Sequence, residues 1–178
     1  MPIKMEKPAR RAGVLEALVA LCIVVSLAGV TAPIVATEVI EGREDQAVVD
    51  MVDILDGLRG YSHDTLFLPT GDRGRTDVTW LWGPGHLPVG HQFDLGGEGR
   101  PLDDVLLNDS MGGPGWNGPY LPNGLSPDPW GNAYLLNVGA LVDPRETAMI
   151  LSAGPDGLVQ TAPGDRKVQG DDIVLPLN

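Results

Sequence analysis

Four carboxylates sit where their type and spacing could do chemistry. Asp156 follows a glycine turn, and Asp171 and Asp172 return from an excursion of fourteen residues, Gly157 to Gly170. Calcium takes about six to eight oxygens from carboxylates and backbone carbonyls in a flexible geometry, so acids delivered by the two ends of one loop suit it. The loop is no EF-hand, since it lacks the alternating acids and the closing Glu. The same acids read equally as turn formers and strand caps facing solvent, which is how most Asp-Gly pairs behave. The fourth carboxylate, Glu16, lies near the start of an apolar run. On insertion scales an acid costs about 2.5–3.5 kcal/mol at the centre of a membrane helix and less toward an end, so it persists where it has a partner or snorkels into water. Other groups form no constellation: His63, His86 and His91 have no ligand spacing, and Ser152 lacks both a nucleophile-elbow context and a His as base.

Charge narrows the partners. The chain has 12 Lys and Arg against 24 Asp and Glu, and Lys4, Lys7, Arg10 and Arg11 crowd into its first eleven positions. Beyond that leader, 8 basic residues face 23 acidic ones. Nucleic acid binding is driven mainly by basic residues neutralising phosphates, so this surface excludes it and suits divalent cations. The single cysteine, Cys22, lies within the apolar run, which rules out an intramolecular disulfide. A small extracytoplasmic domain without disulfides commonly uses a metal as its staple.

The elements that would position these residues begin with one long helix. From Ala17 to Ala36 no residue is charged, the length needed to cross about 30 Å of hydrocarbon. Basic residues precede it and acids follow it, which keeps the N-terminus in the cytoplasm. A cleaved secretory signal, cut near Ala32 or Ala36, and a plain single-pass anchor are the competing readings. Pro33 would kink such a helix without ending it. Val48, Met51, Val52, Leu55 and Leu58 then recur at helical spacing as one apolar face. Gly57 and Gly60 weaken its end, and Tyr61-Ser62 leaves it. Between Ser62 and Met111, Thr76 to Trp82 reads as a strand and Pro101 to Asn108 as a short helix. Ala133 to Val138, Ala148 to Ala153 and Asp172 to Leu177 read as three short strands of a small antiparallel sheet, whose natural partner is the apolar stripe of the helix. Trp116, Tyr120, Trp130 and Tyr134 read as packing under that sheet, and Trp80 and Trp82 as candidates for a partner surface. The resulting segments are 1–11, a basic leader; 12–36, the apolar half of the helix; 37–61, its amphipathic half; and 62–178, a loop-rich globular domain.

These residues resemble the type IV pilin-like proteins, and within them the major pseudopilin of type II secretion systems. That family has a basic leader, then an apolar helix with a Glu near its start and a Pro seventeen residues later, the separation of Glu16 and Pro33 here. It also has a string of motifs, matched by Trp116-Asn117-Gly118-Pro119-Tyr120-Leu121, Asp128-Pro129-Trp130-Gly131-Asn132-Ala133-Tyr134, Ser152-Ala153-Gly154-Pro155-Asp156-Gly157 and Asp171-Asp172-Ile173. The resemblance implies an α+β fold, a long N-terminal helix packed on a small antiparallel sheet. It implies a structural, non-enzymatic subunit of a type II secretion pseudopilus or related filament, a helical homopolymer built from an inner-membrane precursor. The implied partners are a prepilin peptidase, an inner-membrane assembly platform and minor pseudopilins, with the globular domain periplasmic or in an extracellular filament.

By the same resemblance Glu16 would pair with the free amine of a mature N-terminus in the filament. A buried pair of this kind adds little stability but penalises every wrong stagger. The peptidase would cut between Arg11 and Ala12, the register that the Glu16 to Pro33 spacing requires, although Arg11 stands where the family places Gly. Calcium would be held by Asp156, Asp171 and Asp172, with the Ser152 hydroxyl and carbonyls near Leu158 and Val159. A monomeric, membrane-anchored calcium-binding domain that never polymerises is the alternative from another class.

Overall fold

The computed structural model of the chain describes residues 41–70, 78–90, 98–108, 110, 114–142 and 146–177. Arg11, Ala12, Glu16, Pro33 and the apolar run 17–36 lie outside them, as does His91. The chain divides into two compact units, Met1–Glu41 and Gly42–Asn178, and the second is the domain described below. No helix among the described residues is long and apolar enough to cross a membrane.

Helix α1 takes in described residues 41–65 and opens the domain. Ala47, Met51, Ile54, Leu55, Leu58 and Tyr61 are its buried hydrophobic residues and form one stripe along the helix. Each such aliphatic side chain contributes about 1.5–3 kcal/mol by leaving water. Two sequence expectations need correction here. Val48 and Val52 do not share the buried stripe; with Val49 they are 43%, 41% and 54% exposed and face outward. The helix also runs past Tyr61 to residue 65, because packing outweighs the weakness of its glycines. A side chain at Gly60 would press on the Tyr120 ring at 3.0 Å and one at Gly57 would meet Leu106 and Leu121 at 3.4 Å, so both glycines let the chain approach α1 closely. The Thr65 hydroxyl closes the last turn by donating to the Tyr61 carbonyl at 2.7 Å.

Among the described residues the sheet has five strands: β1 (Val78–Trp82), β2 (Glu98–Pro101), β3 (Leu135–Leu136), β4 (Met149–Ser152) and β5 (Ile173–Pro176), in the order β2-β1-β3-β4-β5. Strands β3, β4 and β5 form the expected antiparallel set, and β1 joins it antiparallel to β3. The sheet is nevertheless mixed, because β2 runs parallel to β1. A register shift between Val78 and Trp80 lets Val78 and Leu81 join the core under α1 while Trp80 and Trp82 pack on the opposite side. Leu136 and Ile150 also meet α1, whereas Leu135, Met149 and Leu151 pack with the two tryptophans, whose rings lie 4.7 Å apart. These tryptophans are therefore half-buried, with part of each ring in a second apolar cluster. Both outermost strands end in proline, Pro101 and Pro176. A short helix, α2 (Asp103–Leu106), lies where the sequence predicts one and buries Val105 and Leu106 in the main core.

Tyr134 ties helix to sheet. Its hydroxyl donates to Asp50 Oδ2 at 3.0 Å from a fully buried side chain. Burial, then the Asp50 charge and the bond to it, pushes the phenol well above its ordinary 10.0. A raised acid of this kind supports the fold in full below the unfolded value near 10.0 and loses that support as pH climbs toward the folded value. We expect wild-type stability to fall above about pH 10 more steeply than that of Tyr134→Phe, with the variant about 1 kcal/mol less stable at neutral pH. Urea midpoints of both proteins between pH 7 and 11 check this; parallel profiles would refute it.

Candidate functional site

The motif strings fold into three neighbouring knots, and the first clasps the end of α1. Tyr120 packs edge-on against Tyr61 at 6.1 Å and against Trp116 at 5.7 Å. Its hydroxyl donates to Asp64 Oδ2 at 3.2 Å and accepts from the Asn117 amide at 3.0 Å. The Gly118–Pro119 bond between them is cis.

The second knot is built on Asp128, which the sequence displays in a motif without revealing its task. This carboxylate is only 4% exposed. Its Oδ1 accepts from the amides of Trp130 at 3.0 Å and Asn132 at 2.7 Å, the local turn that an Asp before Pro-Trp-Gly-Asn favours. Its Oδ2 accepts from the Ser152 hydroxyl at 2.6 Å. Asn132 then donates from Nδ2 to the Gly154 carbonyl at 3.0 Å. The turn between β3 and its predecessor is thus stitched to the end of β4, where the terminal loop begins.

The third knot is that loop, and it brings the three predicted acids into one neighbourhood. Asp156 Oδ1 accepts from the Leu158 amide at 2.7 Å, and Asp171 Oδ2 accepts from the Asp156 amide at 3.1 Å. Asp172 Oδ2 takes two amides, Gln160 at 2.9 Å and Thr161 at 2.5 Å. Asp172 is 6% exposed, and its Oδ1 is buried with no hydrogen-bond partner. Of the remaining predicted ligands, the buried Ser152 hydroxyl is engaged elsewhere: it serves Asp128 and accepts from the Gly154 amide at 3.2 Å. Leu158 is exposed, and the Val159 amide donates to the Val89 carbonyl at 3.0 Å.

An orphaned, buried carboxylate oxygen beside two further acids is the donor chemistry that a hard divalent cation satisfies. As they stand, both oxygens of Asp156 and the Oδ2 atoms of Asp171 and Asp172 accept from N–H groups, and among the described residues no three acidic, histidine or cysteine side chains are grouped to hold a metal ion. His63 and His86 join no such group either. A cation would use the unpartnered Oδ1 of Asp172 together with oxygens that already accept hydrogen bonds. The loop also contains a residue that sequence reasoning missed, Gln160, which bonds all three acids.

The described domain is thus a helix clasped on a small sheet by turns that bond one another. Residues 101–171 match the family model for the type II secretion system (T2SS), protein G, and over that stretch the chain is similar to that family. No curated protein and no solved structure matches the chain. The family match takes in α2, β3, β4 and all three knots except Asp172 and the α1 residues they grip.

Proposed function

We propose that the chain is a filament subunit of a type II secretion pseudopilus or related type IV pilus-like assembly. Support for this reading comes from the match of residues 101–171 to the family model of a type II secretion system component, which also favours a place at the membrane or in the periplasm. The observation that carries polymerisation is the outward ridge of α1, where Val48, Val49 and Val52 stand exposed at helical spacing on the element that the domain otherwise uses for packing. Such a ridge favours burial against a neighbouring helix, and a contact between unlike surfaces of identical copies propagates into a fibre instead of closing. On this reading the segment outside the described residues supplies the filament core, with Glu16 setting the stagger and Pro33 loosening the helix, after cleavage between Arg11 and Ala12. A calcium ion held by Asp156, Asp171 and Asp172 would draw the two ends of the terminal loop together and neutralise their charge.

The test is filament yield in cells expressing the full chain with its secretion machinery, read by electron microscopy of the sheared fraction. Val48→Asp with Val52→Asp should leave the precursor in the membrane and cut filaments at least about tenfold, since each exposed valine sheds about 1 kcal/mol or more on burial. Glu16→Leu should likewise insert and not assemble. Normal filaments from both variants would sink the proposal in favour of a monomeric anchored domain, and the mass of the mature protein reports the cut site at the same time.

A further inference from the structure

We infer that the Gln160 carboxamide is the latch of the terminal loop: it holds the ends of the excursion together without an ion, and it sets how readily the loop accepts one. The carboxamide lies between the two ends. Its Nε2 donates to Asp156 Oδ2 at 3.1 Å, on the outgoing side, and its Oε1 accepts from the Asp171 amide at 3.3 Å, on the returning side. The backbone amide of the same residue donates to Asp172 Oδ2 at 2.9 Å. One residue therefore bonds all three acids. The orientation of the side-chain amide is dictated by its partners, because a carboxylate only accepts and a backbone amide only donates. The carboxamide oxygen occupies the space above Gly170 that any side chain there would fill. Below this latch the stem is closed a second time, where Gln169 donates its amide to the Thr161 hydroxyl at 2.9 Å.

The latch and a cation compete for the same lone pairs. The N–H donor on Asp156 Oδ2 takes one of that oxygen's lone pairs and sets a positive hydrogen against it, so Nε2 and a divalent ion compete for the oxygen. The buried Oδ1 of Asp172, which no hydrogen bond satisfies, is the part of the site that the latch leaves unserved. Gln160 is thus a positioning residue that keeps the loop closed when calcium is absent and lowers its affinity for calcium; the second half of this statement rests on the calcium reading above.

The tip of the loop supplies a local reporter, since Arg166 and Lys167 are exposed and trypsin cuts after them only when the segment opens. The experiment uses the full-length chain in detergent, as wild type, Gln160→Ala and Gln160→Glu, in excess chelator and in calcium chloride. In chelator, Gln160→Ala should be cut about fivefold faster than wild type, the equivalent of about one net hydrogen bond. Gln160→Glu replaces the donor with a charged oxygen beside Asp156, so it too should open in chelator, yet bind calcium about tenfold more tightly by calorimetry because affinity rises with ligand charge. Calcium should restore protection to both variants. Equal cutting of wild type and Gln160→Ala in chelator would overturn the latch. Calcium binding by Gln160→Glu no tighter than by wild type would overturn the competition. If no protein responds to calcium, the calcium reading falls and the competition with it, while the chelator arm alone still decides the latch.

Discussion

Replacement of Asp128 by alanine is expected to destabilise the domain by about 3–5 kcal/mol, lowering its melting temperature by about 10 °C. The carboxylate is buried and accepts three hydrogen bonds, from two backbone amides and the Ser152 hydroxyl. Alanine leaves the Ser152 hydroxyl, itself fully buried, without an acceptor, and frees the turn that carries Asn132. An unmet buried donor costs about 1–3 kcal/mol, and bonds to a charged acceptor are individually worth more than neutral ones. Asp128→Asn keeps the shape and one carbonyl acceptor, so it should cost less than half as much. Thermal melts followed by tryptophan fluorescence measure both, with Trp130 in the same turn as an internal reporter. A melting point for Asp128→Ala within 2 °C of wild type would mean that the three bonds are individually dispensable.

The second large effect is expected at Gly154, where alanine should cost about 3 kcal/mol or more and detach the terminal loop. Its φ of 60° lies in the left-handed region, which costs an L residue about 1–2 kcal/mol. The added carbon would also overlap the Asp171 carbonyl and stand 3.0 Å from Asp171 Oδ2. Backbone cannot yield there without moving Asp172 and the start of β5. Gly131 is the control, since its φ of 93° is equally left-handed but nothing lies within 4 Å of the added carbon. Gly131→Ala should pay the backbone term alone, and tryptic cutting after Arg166 and Lys167 should rise for Gly154→Ala only. Equal losses at the two sites would show that conformation, and not contact, governs the loop.

Much of this domain is legible in the order of its residues, and the exceptions have physical causes. Strands β3, β4 and β5 and helix α2 announce themselves as short apolar runs bounded by turn formers. Strand β2 does not, because Glu-Gly-Arg-Pro has no strand composition and is extended through its pairing with β1 at the margin of the sheet. The end of α1 is misread from its glycines for a related reason: Gly57 and Gly60 weaken an isolated helix, but here they let Leu106 and Tyr120 come close, a tertiary demand that no local pattern contains. Periodicity also locates an apolar face on α1 without saying which valines lie on its rim, so Val48 and Val52 are assigned to the core when they face outward. At the candidate site the acids stand out because carboxylates cluster visibly. Gln160 does not, since an exposed Gln belongs to no motif, and its task exists only once the loop brings residues 156 and 171 to either side of it.

The prolines at the margins of the sheet bear on what happens when many copies crowd together. Pro101 closes β2 and Pro176 closes β5, the outermost strands among the described residues, and each removes an amide that could otherwise template a strand from a neighbour. Both strands are also only four residues long. Growth by sideways zippering of sheets, the route to amyloid, is blunted at both borders. Copies held at high local density are left to associate through side chains on their helices and turns, where register is specified, and not through backbone, where it is not.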